Sequence, residues 1–322
     1  MDRQLDIKRI GIYLAFAFGI AWLAGLVVYL TGGMTNSRVL IPNTQITFAI
    51  VLIATVYMSA PALAHVLTRA VTREGWQGAF LRPRLKKGWP YWAAAWLLPA
   101  VLTIAGGALF FVLYPATFDP SLSTIKNALS AKGVTLPFNI WLYMALQTVG
   151  GVLISPLING LFTFGEEFGW RAYLQPRLMP LGGRRTMLLM GVIWGVWHWP
   201  VILMGHNYGL SYPGAPYLGP LVMVWFTFVV GTFLGWAALR GGSVWPAVIG
   251  HAAVNGIANL GTAFVQGSPN PLLGPLPVGL IGSAGFALVA LLILLSPRAL
   301  RPYEAEAEGE ESGEVIPDSA PR

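Results

Sequence analysis

Apolar residues run through this chain in long blocks. A stretch of about 20 such residues is long enough to cross a bilayer as a helix, and the sequence contains eight. They cover residues 10–31, 46–68, 89–115, 140–163, 187–205, 217–239, 243–264 and 275–296. The pattern predicts an all-α fold, a polytopic bundle of about eight transmembrane helices. Two glycine pairs, Gly191 with Gly195 and Gly231 with Gly235, have the spacing of close helix contacts.

Lysine and arginine fall on alternate connecting segments. Cytoplasmic loops of membrane proteins carry an excess of these residues. The first, third, fifth, seventh and ninth segments hold 17 of them, and the four segments between hold three: Arg38, Lys126 and Lys132. We therefore expect both termini in the cytoplasm, which requires an even number of spans. The first apolar run is longer than a cleavable signal peptide, so we expect it to be retained.

Composition excludes several classes of protein. Hydrophobic residues make up 55% of the chain and charged residues only 10%, against roughly 25% charged in soluble domains, so a soluble globule is excluded. The absence of Cys excludes disulfides, thiol nucleophiles and Cys-based metal sites. We predict a membrane domain over residues 1–301 in contact with the lipid bilayer. A disordered acidic cytoplasmic tail is expected over 302–322, and no nucleic-acid partner is expected.

Glu166 and Glu167 are adjacent, and no other acidic residue lies between Asp119 and Glu304. A charged side chain at membrane depth costs roughly 2.5–3.5 kcal/mol on insertion scales, so such residues usually pair with others or serve a function. One interpretation leaves them without a role, at the cytoplasmic interface just after a fourth span that ends near residue 163. Their isolation makes them the first candidates for chemistry.

Two of the four histidines lie inside predicted spans. His198 is in the fifth span and His251 in the seventh, and at 1.5 Å per residue both are expected roughly 12–17 Å below the cytoplasmic surface. Because the glutamate pair lies toward the same side, we predict a shared site that opens toward the cytoplasm. His65, expected to snorkel at the cytoplasmic end of the second span, and His206, in an outer loop, are expected to have structural or incidental roles.

Side chains at positions i and i+4 share a helix face, and three such pairs involve these residues: Glu167 with Arg171, Trp194 with His198, and His251 with Asn255. An ion pair between Glu167 and Arg171 would lower the cost of two adjacent carboxylates. The pair of His251 and Asn255 would direct two N–H donors to one point. Trp194 would form a wall of the site.

Such a constellation supports hydrolysis in two ways. Glu166 could act as a general base on a water held by His198, with His251 and Asn255 stabilising the oxyanion. Zn²⁺ could instead be bound by Glu166, His198 and His251, although no H-E-x-x-H motif is present. The metal-free form is favoured because Asn255 is a poor zinc ligand and a good amide donor. No G-x-S-x-G motif supports a serine nucleophile.

The motifs, taken together, resemble a known family. E-E-x-x-x-R at 166–171, an aromatic residue four positions before His198, and H-x-x-x-N at 251–255 are similar to the CPBP intramembrane proteases. That family contains the CAAX prenyl endopeptidases and the bacteriocin-processing or immunity Abi proteins. The resemblance covers roughly residues 140–260. The family usually has Phe where this chain has Trp194, so an aromatic side chain is retained.

The resemblance implies a glutamate-dependent endopeptidase that cleaves a membrane-anchored substrate, for which prenylated C-terminal peptides are one option. Carried over, Glu166 is the base, His198 positions the water, and His251 with Asn255 forms the oxyanion hole. Glu167, Arg171 and Trp194 are supporting residues. No cofactor is expected, although Zn²⁺ stays open because the family was long described as metal-dependent.

Two other classes of function remain open. The same acids and histidines could form a proton relay in a transporter, where intramembrane ionisable residues are expected. The chain could also be a non-proteolytic membrane protein that binds a partner or confers immunity. A proton relay has no use for an amide donor at Asn255, which favours the protease.

Overall fold

The computed structural model describes residues 5–42 and 44–301, so the predicted acidic tail lies outside the described residues. In the described part of the chain every regular element is a helix, and strand-like pairing is limited to two isolated bridges. The all-α prediction is confirmed.

Residues 5–42 and 44–301 contain eleven helices. In chain order they are α1 Ile7–Leu30, α2 Phe48–Val71, α3 Leu85–Leu113, α4 Ser123–Ala131, α5 Ile140–Leu153, α6 Ser155–Leu181, α7 Gly183–Trp197, α8 Trp199–Leu203, α9 Leu218–Gly241, α10 Trp245–Ile257 and α11 Ala284–Leu295. Short 3₁₀ turns at Pro115–Thr117 and Leu260–Phe264 lie in the connections.

Four helices, α1, α2, α3 and α9, are each long and apolar enough to cross a membrane. Helices α5 and α6 pass the same test only together, with a bend of 43° between them, which gives four or five candidate spans in the described part of the chain. Helices α7, α10 and α11 have 15, 13 and 12 residues, fewer than the roughly 20 that a straight crossing needs. The eight spans and the cytoplasmic termini are therefore not confirmed and stay predictions.

The predicted glycine pairs lie where helices approach closely. A Cβ added at Gly191 or Gly195 would come within 2.5 or 2.6 Å of an α9 backbone atom, so only glycine allows α7 to pack this tightly. A Cβ at Gly231 would lie 3.3 Å from the guanidinium of Arg171. That glycine therefore makes room for a buried charge beside the candidate site, while Gly235 faces the Met187 side chain.

The break between α5 and α6 follows from Pro156. Proline has no backbone N–H to donate to the carbonyl four residues earlier, which here belongs to Val152. The Trp96 indole donates to that carbonyl at 2.7 Å instead. The bend therefore leaves no orphaned carbonyl, and it sets the direction of α6, the helix that carries both glutamates.

A block of buried aromatic side chains fills the bundle on one side of the glutamates. Tyr13, Trp170 and Tyr173 are all 0% exposed. The Tyr13 ring lies 5.0 Å from that of Tyr173 and 5.8 Å from that of Trp170, and Trp170 packs edge-on against Trp197 at 5.7 Å. The interior is thus closed between the glutamates and the C-terminal part of α6.

Candidate active site

Glu166 and Glu167 lie in the middle of α6, where the helix packs against α2. A Cβ at Gly165 or Gly169 would come within 2.7 or 2.4 Å of the α2 backbone, so the two helices meet on glycine. Both carboxylates are buried, with 3% and 0% of their area exposed. Because neighbouring residues on a helix point about 100° apart, the two carboxylates contact different partners.

Glu166 accepts a hydrogen bond at Oε2 from the Trp194 indole N–H, at 2.8 Å. Its Oε1 makes no hydrogen bond to any described residue. One carboxylate oxygen is therefore held in place while the other is free to accept a proton. Trp194, which was predicted to form a wall of the site, is therefore also a hydrogen-bond donor. The Phe that is usual at this position has no N–H group and could not donate.

Glu167 has two charged or polar partners. Its carboxylate lies 3.0 Å from the guanidinium of Arg171, which confirms the predicted ion pair. It also contacts Nδ1 of His251 at 2.8 Å. Arg171 is 1% exposed, and its guanidinium carbon lies 4.4 Å from the centre of the Trp194 ring. Glu167 therefore offsets a buried positive charge and fixes the orientation of the His251 ring.

His198 stands at the break between α7 and α8. Pro200 prevents a regular helix from continuing here, and the carbonyl of Trp194 accepts from Nδ1 of His198 at 2.7 Å. A carbonyl can only accept, so Nδ1 carries the proton, and in the neutral ring Nε2 then holds a lone pair. The helix break thus leaves His198 with an acceptor nitrogen available to a water molecule.

The break is held from two neighbouring helices. The carbonyl of Trp197 accepts from the Tyr57 hydroxyl at 2.5 Å and from the Trp22 indole at 3.2 Å. The Trp197 indole in turn donates to the carbonyl of Ala17 at 3.2 Å. Ala17 is ten residues into α1, roughly 15 Å along its axis, so the site lies near the middle of the bundle.

One cavity of about 150 Å³ brings the predicted catalytic residues together. Its lining includes Glu166, His198, His251 and Asn255, with Trp194 along one wall. Asn255 is exposed, and it also lines a neighbouring cleft of about 350 Å³ between α5 and α10. No side-chain hydrogen bond within the described residues occupies its amide, so the amide is available to a ligand.

Tyr57, His206 and Asn207 also line this cavity, and none of them was among the predicted site residues. His206 was expected to be incidental, but the turn after α8 folds the loop back so that its ring faces the space next to His198. Burial lowers the pKa of His206, so its ring is neutral at physiological pH. The sequence signal for this turn of the loop is weak. It consists of Gly205, which takes a φ of +95° in the structure.

His65 does not snorkel as expected. It is fully buried, donates from Nδ1 to the carbonyl of Phe168 at 2.8 Å and accepts from Arg69 at 2.6 Å. In the sequence His65 lies near the charged end of a predicted span, and nothing local to it indicates that α6 covers it. These contacts agree with the structural role that was expected.

The zinc alternative requires Glu166, His198 and His251 to converge on one point. Among the described residues, no group of three or more His, Asp or Glu side chains is arranged to hold a metal ion. The preference for a metal-free site stays a prediction.

Comparison with known proteins supports the sequence resemblance. Residues 138–257 match the model of a family described as Type II CAAX prenyl endopeptidase Rce1-like. The matched stretch runs from just before α5 to the end of α10 and contains all four predicted catalytic residues. The predicted resemblance to the CPBP and CAAX protease family is thereby confirmed. No curated protein matches the chain.

Proposed function

We propose that this chain is an intramembrane endopeptidase that hydrolyses a peptide bond with a water activated by Glu166. The observation that carries the proposal is the single cavity that Glu166, His198, His251 and Asn255 line together. The family match over 138–257 supports a membrane protease of the CAAX type. The apolar helices agree with its location in the bilayer.

In the first step, Glu166 acts as general base. Its Oε1 takes a proton from a water molecule that donates its other hydrogen to Nε2 of His198. The water oxygen forms a bond with the carbonyl carbon of the scissile peptide, and the carbonyl electron pair moves to oxygen. Trp194 holds Oε2 of Glu166, so the base does not swing away from the water.

In this proposal the negative charge on that oxygen is stabilised by N–H groups of Asn255 and His251. Asn255 donates from its side-chain amide. His251 donates from Nε2 when the ring carries both protons, since its Nδ1–H is directed at Glu167. Such donors act most strongly where water is excluded, and His251 is only 7% exposed.

In the second step, the tetrahedral intermediate collapses. The carbonyl double bond reforms, the carbon–nitrogen bond breaks, and the leaving nitrogen takes the proton from Glu166. The products are a new carboxyl terminus and a new amino terminus, and Glu166 returns to its carboxylate form. No metal or cofactor takes part in this scheme.

The substrate class is a membrane-anchored polypeptide, with a prenylated C-terminal peptide as the option that the matched family offers. A cavity of about 150 Å³ holds the reacting bond and little more. The remainder of the substrate must lie in the adjoining space, of which the 350 Å³ cleft beside Asn255 is the nearest part.

Membrane-protein termini test the proposal directly. Cells that produce the wild type or Glu166→Gln at equal levels are compared by proteomic labelling of protein N termini. We expect a defined set of new termini with the wild type and none with Glu166→Gln. Asp119→Asn is the control for a carboxylate-to-amide change away from the cavity. It is expected to lower the melting temperature, but at an equal amount of folded protein it should retain those termini.

The same variant separates the alternatives. A proton-coupled transporter would lose uptake in Glu166→Gln while the termini of both strains stay identical. A partner-binding protein would keep its binding. Identical termini in the presence of normal amounts of folded wild-type protein would refute the protease.

A further inference from the structure

A groove runs across one end of the bundle, in the connection between α2 and α3. It joins two neighbouring spaces of about 720 and 860 Å³, which have Trp76, Gln77, Gly78 and Pro176 in common. We call it the Trp76 groove, after an indole that is 56% exposed. Five arginines contribute to its lining, namely Arg9, Arg69, Arg82, Arg84 and Arg177.

The two acidic residues in this lining are already paired. Asp6 lies 2.9 Å from the guanidinium of Arg9. Glu74 pairs with Arg9, at 3.2 Å, and with Arg177. The other carboxylates of the described chain lie elsewhere, since the glutamate pair is buried in the candidate active site and Asp119 accepts from two nearby serines. The groove is therefore positively charged, with five arginines against two carboxylates.

Three cations at the groove have no acidic partner within the described residues. Arg82 lies in the lining, and Lys86 and Lys87 follow in the first turn of α3. All three are exposed, and none forms an ion pair with a described carboxylate. Positive charges this close together repel one another, so a polyanion that binds among them is stabilised.

The described chain ends beside this groove. Leu300 is buried, and it belongs to an apolar cluster against which Met179 of α6 packs. A Cβ added at Gly183 would lie 2.6 Å from the Leu300 side chain, so the segment after α11 is held against the start of α7. Pro176 and Pro180, which flank Met179 in the sequence, both line the groove. The segment that follows Arg301 therefore begins next to it.

That segment, residues 302–322, has the opposite charge. It contains one arginine and seven acidic residues, namely Glu304, Glu306, Glu308, Glu310, Glu311, Glu314 and Asp318. Its reach when extended is up to about 70 Å, so its length does not limit contact with the groove.

We propose that residues 302–322 bind in the Trp76 groove of the same chain, with their carboxylates paired to Arg82, Lys86 and Lys87. Covalent attachment gives the acidic segment a high effective concentration at the groove, so contacts that are weak singly suffice. While it is bound, the segment excludes other anions from the groove, including phospholipid headgroups. This binding does not depend on the proposed protease activity.

The absence of cysteine from the sequence allows two chosen positions to be cross-linked. Gln77 is exposed in the groove, and Ser130 is exposed on α4, which lies beyond the far end of α3, roughly 40 Å away along that helix. Ser312→Cys is combined with Gln77→Cys or with Ser130→Cys in the full chain, in nanodiscs of neutral phosphatidylcholine, and treated with a short bis-maleimide. We expect an intramolecular link to Gln77→Cys that weakens at high salt, and little to Ser130→Cys. Equal linking of the two pairs would overturn the proposal.

Charge variants test which cations hold the segment. Combining Arg82→Gln, Lys86→Gln and Lys87→Gln should reduce the link to Gln77→Cys at an unchanged melting temperature, since all three side chains are exposed. The matched control removes three cations elsewhere, with Arg38→Gln, Lys126→Gln and Lys132→Gln, and should leave the link unchanged. A link that is indifferent to the groove variant would refute the pairing.

A peptide binding experiment tests occupancy of the groove. In a full chain whose seven acidic residues after Arg301 are changed to Gln or Asn, the groove should bind a fluorescent peptide of sequence 302–322. The wild type should bind that peptide about tenfold more weakly, because its own segment competes at high effective concentration. Equally weak peptide binding by both chains, with phosphatidylglycerol retained in native mass spectra and lost in the groove variant, would assign the groove to lipid headgroups and overturn the proposal.

Discussion

Glu167→Gln distinguishes the roles of the two adjacent glutamates, because their side chains contact different partners in the structure. The substitution removes the charge that offsets Arg171, whose side chain is 1% exposed. Leaving one member of a buried ion pair without its partner costs about 3–5 kcal/mol, a large share of the roughly 5–15 kcal/mol that stabilises a typical fold. At about 2–4 °C per kcal/mol, we expect the melting temperature to fall by about 6–20 °C.

The same substitution weakens the hydrogen bond that orients the His251 ring. The Gln oxygen can still accept from Nδ1, but the bond no longer involves a carboxylate. A hydrogen bond to a charged group contributes about 1.5–3 kcal/mol, which corresponds to roughly ten- to a hundredfold in rate. We therefore expect slow but measurable cleavage per folded molecule. Glu166→Gln should instead abolish cleavage and leave the melting temperature within a few degrees of the wild type.

The assay is turnover of a substrate from the termini comparison, normalised to folded protein by size-exclusion chromatography and a thermal melt. A double variant, Glu167→Gln with Arg171→Met, serves as the control. Replacing both members of a buried pair by uncharged groups of similar volume is often neutral, so stability should return while the slow turnover persists. Complete inactivation of Glu166→Gln and Glu167→Gln alike, at unchanged melting temperature, would refute this division of roles.

Three further predictions follow from other contacts. Gly169→Ala places a Cβ 2.4 Å from the backbone of Pro61 and should lower the melting temperature markedly, whereas Gly150→Ala, with nothing within 4 Å, should not. Exhaustive chelation should leave cleavage unchanged, and activity lost to a chelator and restored by Zn²⁺ or Co²⁺ would reverse the preference for a metal-free site. Hydrogen bonds from two nearby serines lower the pKa of Asp119 below its usual 3.8. Its stabilising contribution is therefore complete above that pH and is lost on acidification. Asp119→Asn should accordingly melt below the wild type at pH 7, with a gap that narrows as the pH falls below about 4.

The helical fold could be predicted from the sequence because long apolar blocks permit little else in a bilayer. The number of spans could not. Pro156 and Pro200 interrupt apolar blocks that look continuous, and composition alone does not show whether the halves make one crossing or two. The partner that makes such a break stable, such as Trp96 for the carbonyl of Val152, is distant in sequence and has no local signal.

Helix periodicity predicts only those contacts of the candidate site that join residues of the same helix. Spacing of four residues gave the ion pair between Glu167 and Arg171 correctly. It could not give the contact between Glu167 and His251, which joins α6 to α10 across 84 positions of the chain. Nor could it place His206 in the lining, because that depends on the path of a loop.

Irregular backbone is what makes polar chemistry feasible at this depth. In a bilayer a freed carbonyl must find a donor within the protein, and at the α7–α8 break two carbonyls do so. One is satisfied by Tyr57 and Trp22. The other, that of Trp194, is satisfied by the imidazole of His198 itself. The tightened turn at His198, whose backbone N–H donates to the carbonyl of Gly195 at 3.1 Å, thereby fixes the tautomer of the residue proposed to hold the attacking water. A continuous helix would bond that carbonyl to the backbone amide of His198, leaving the ring free to rotate.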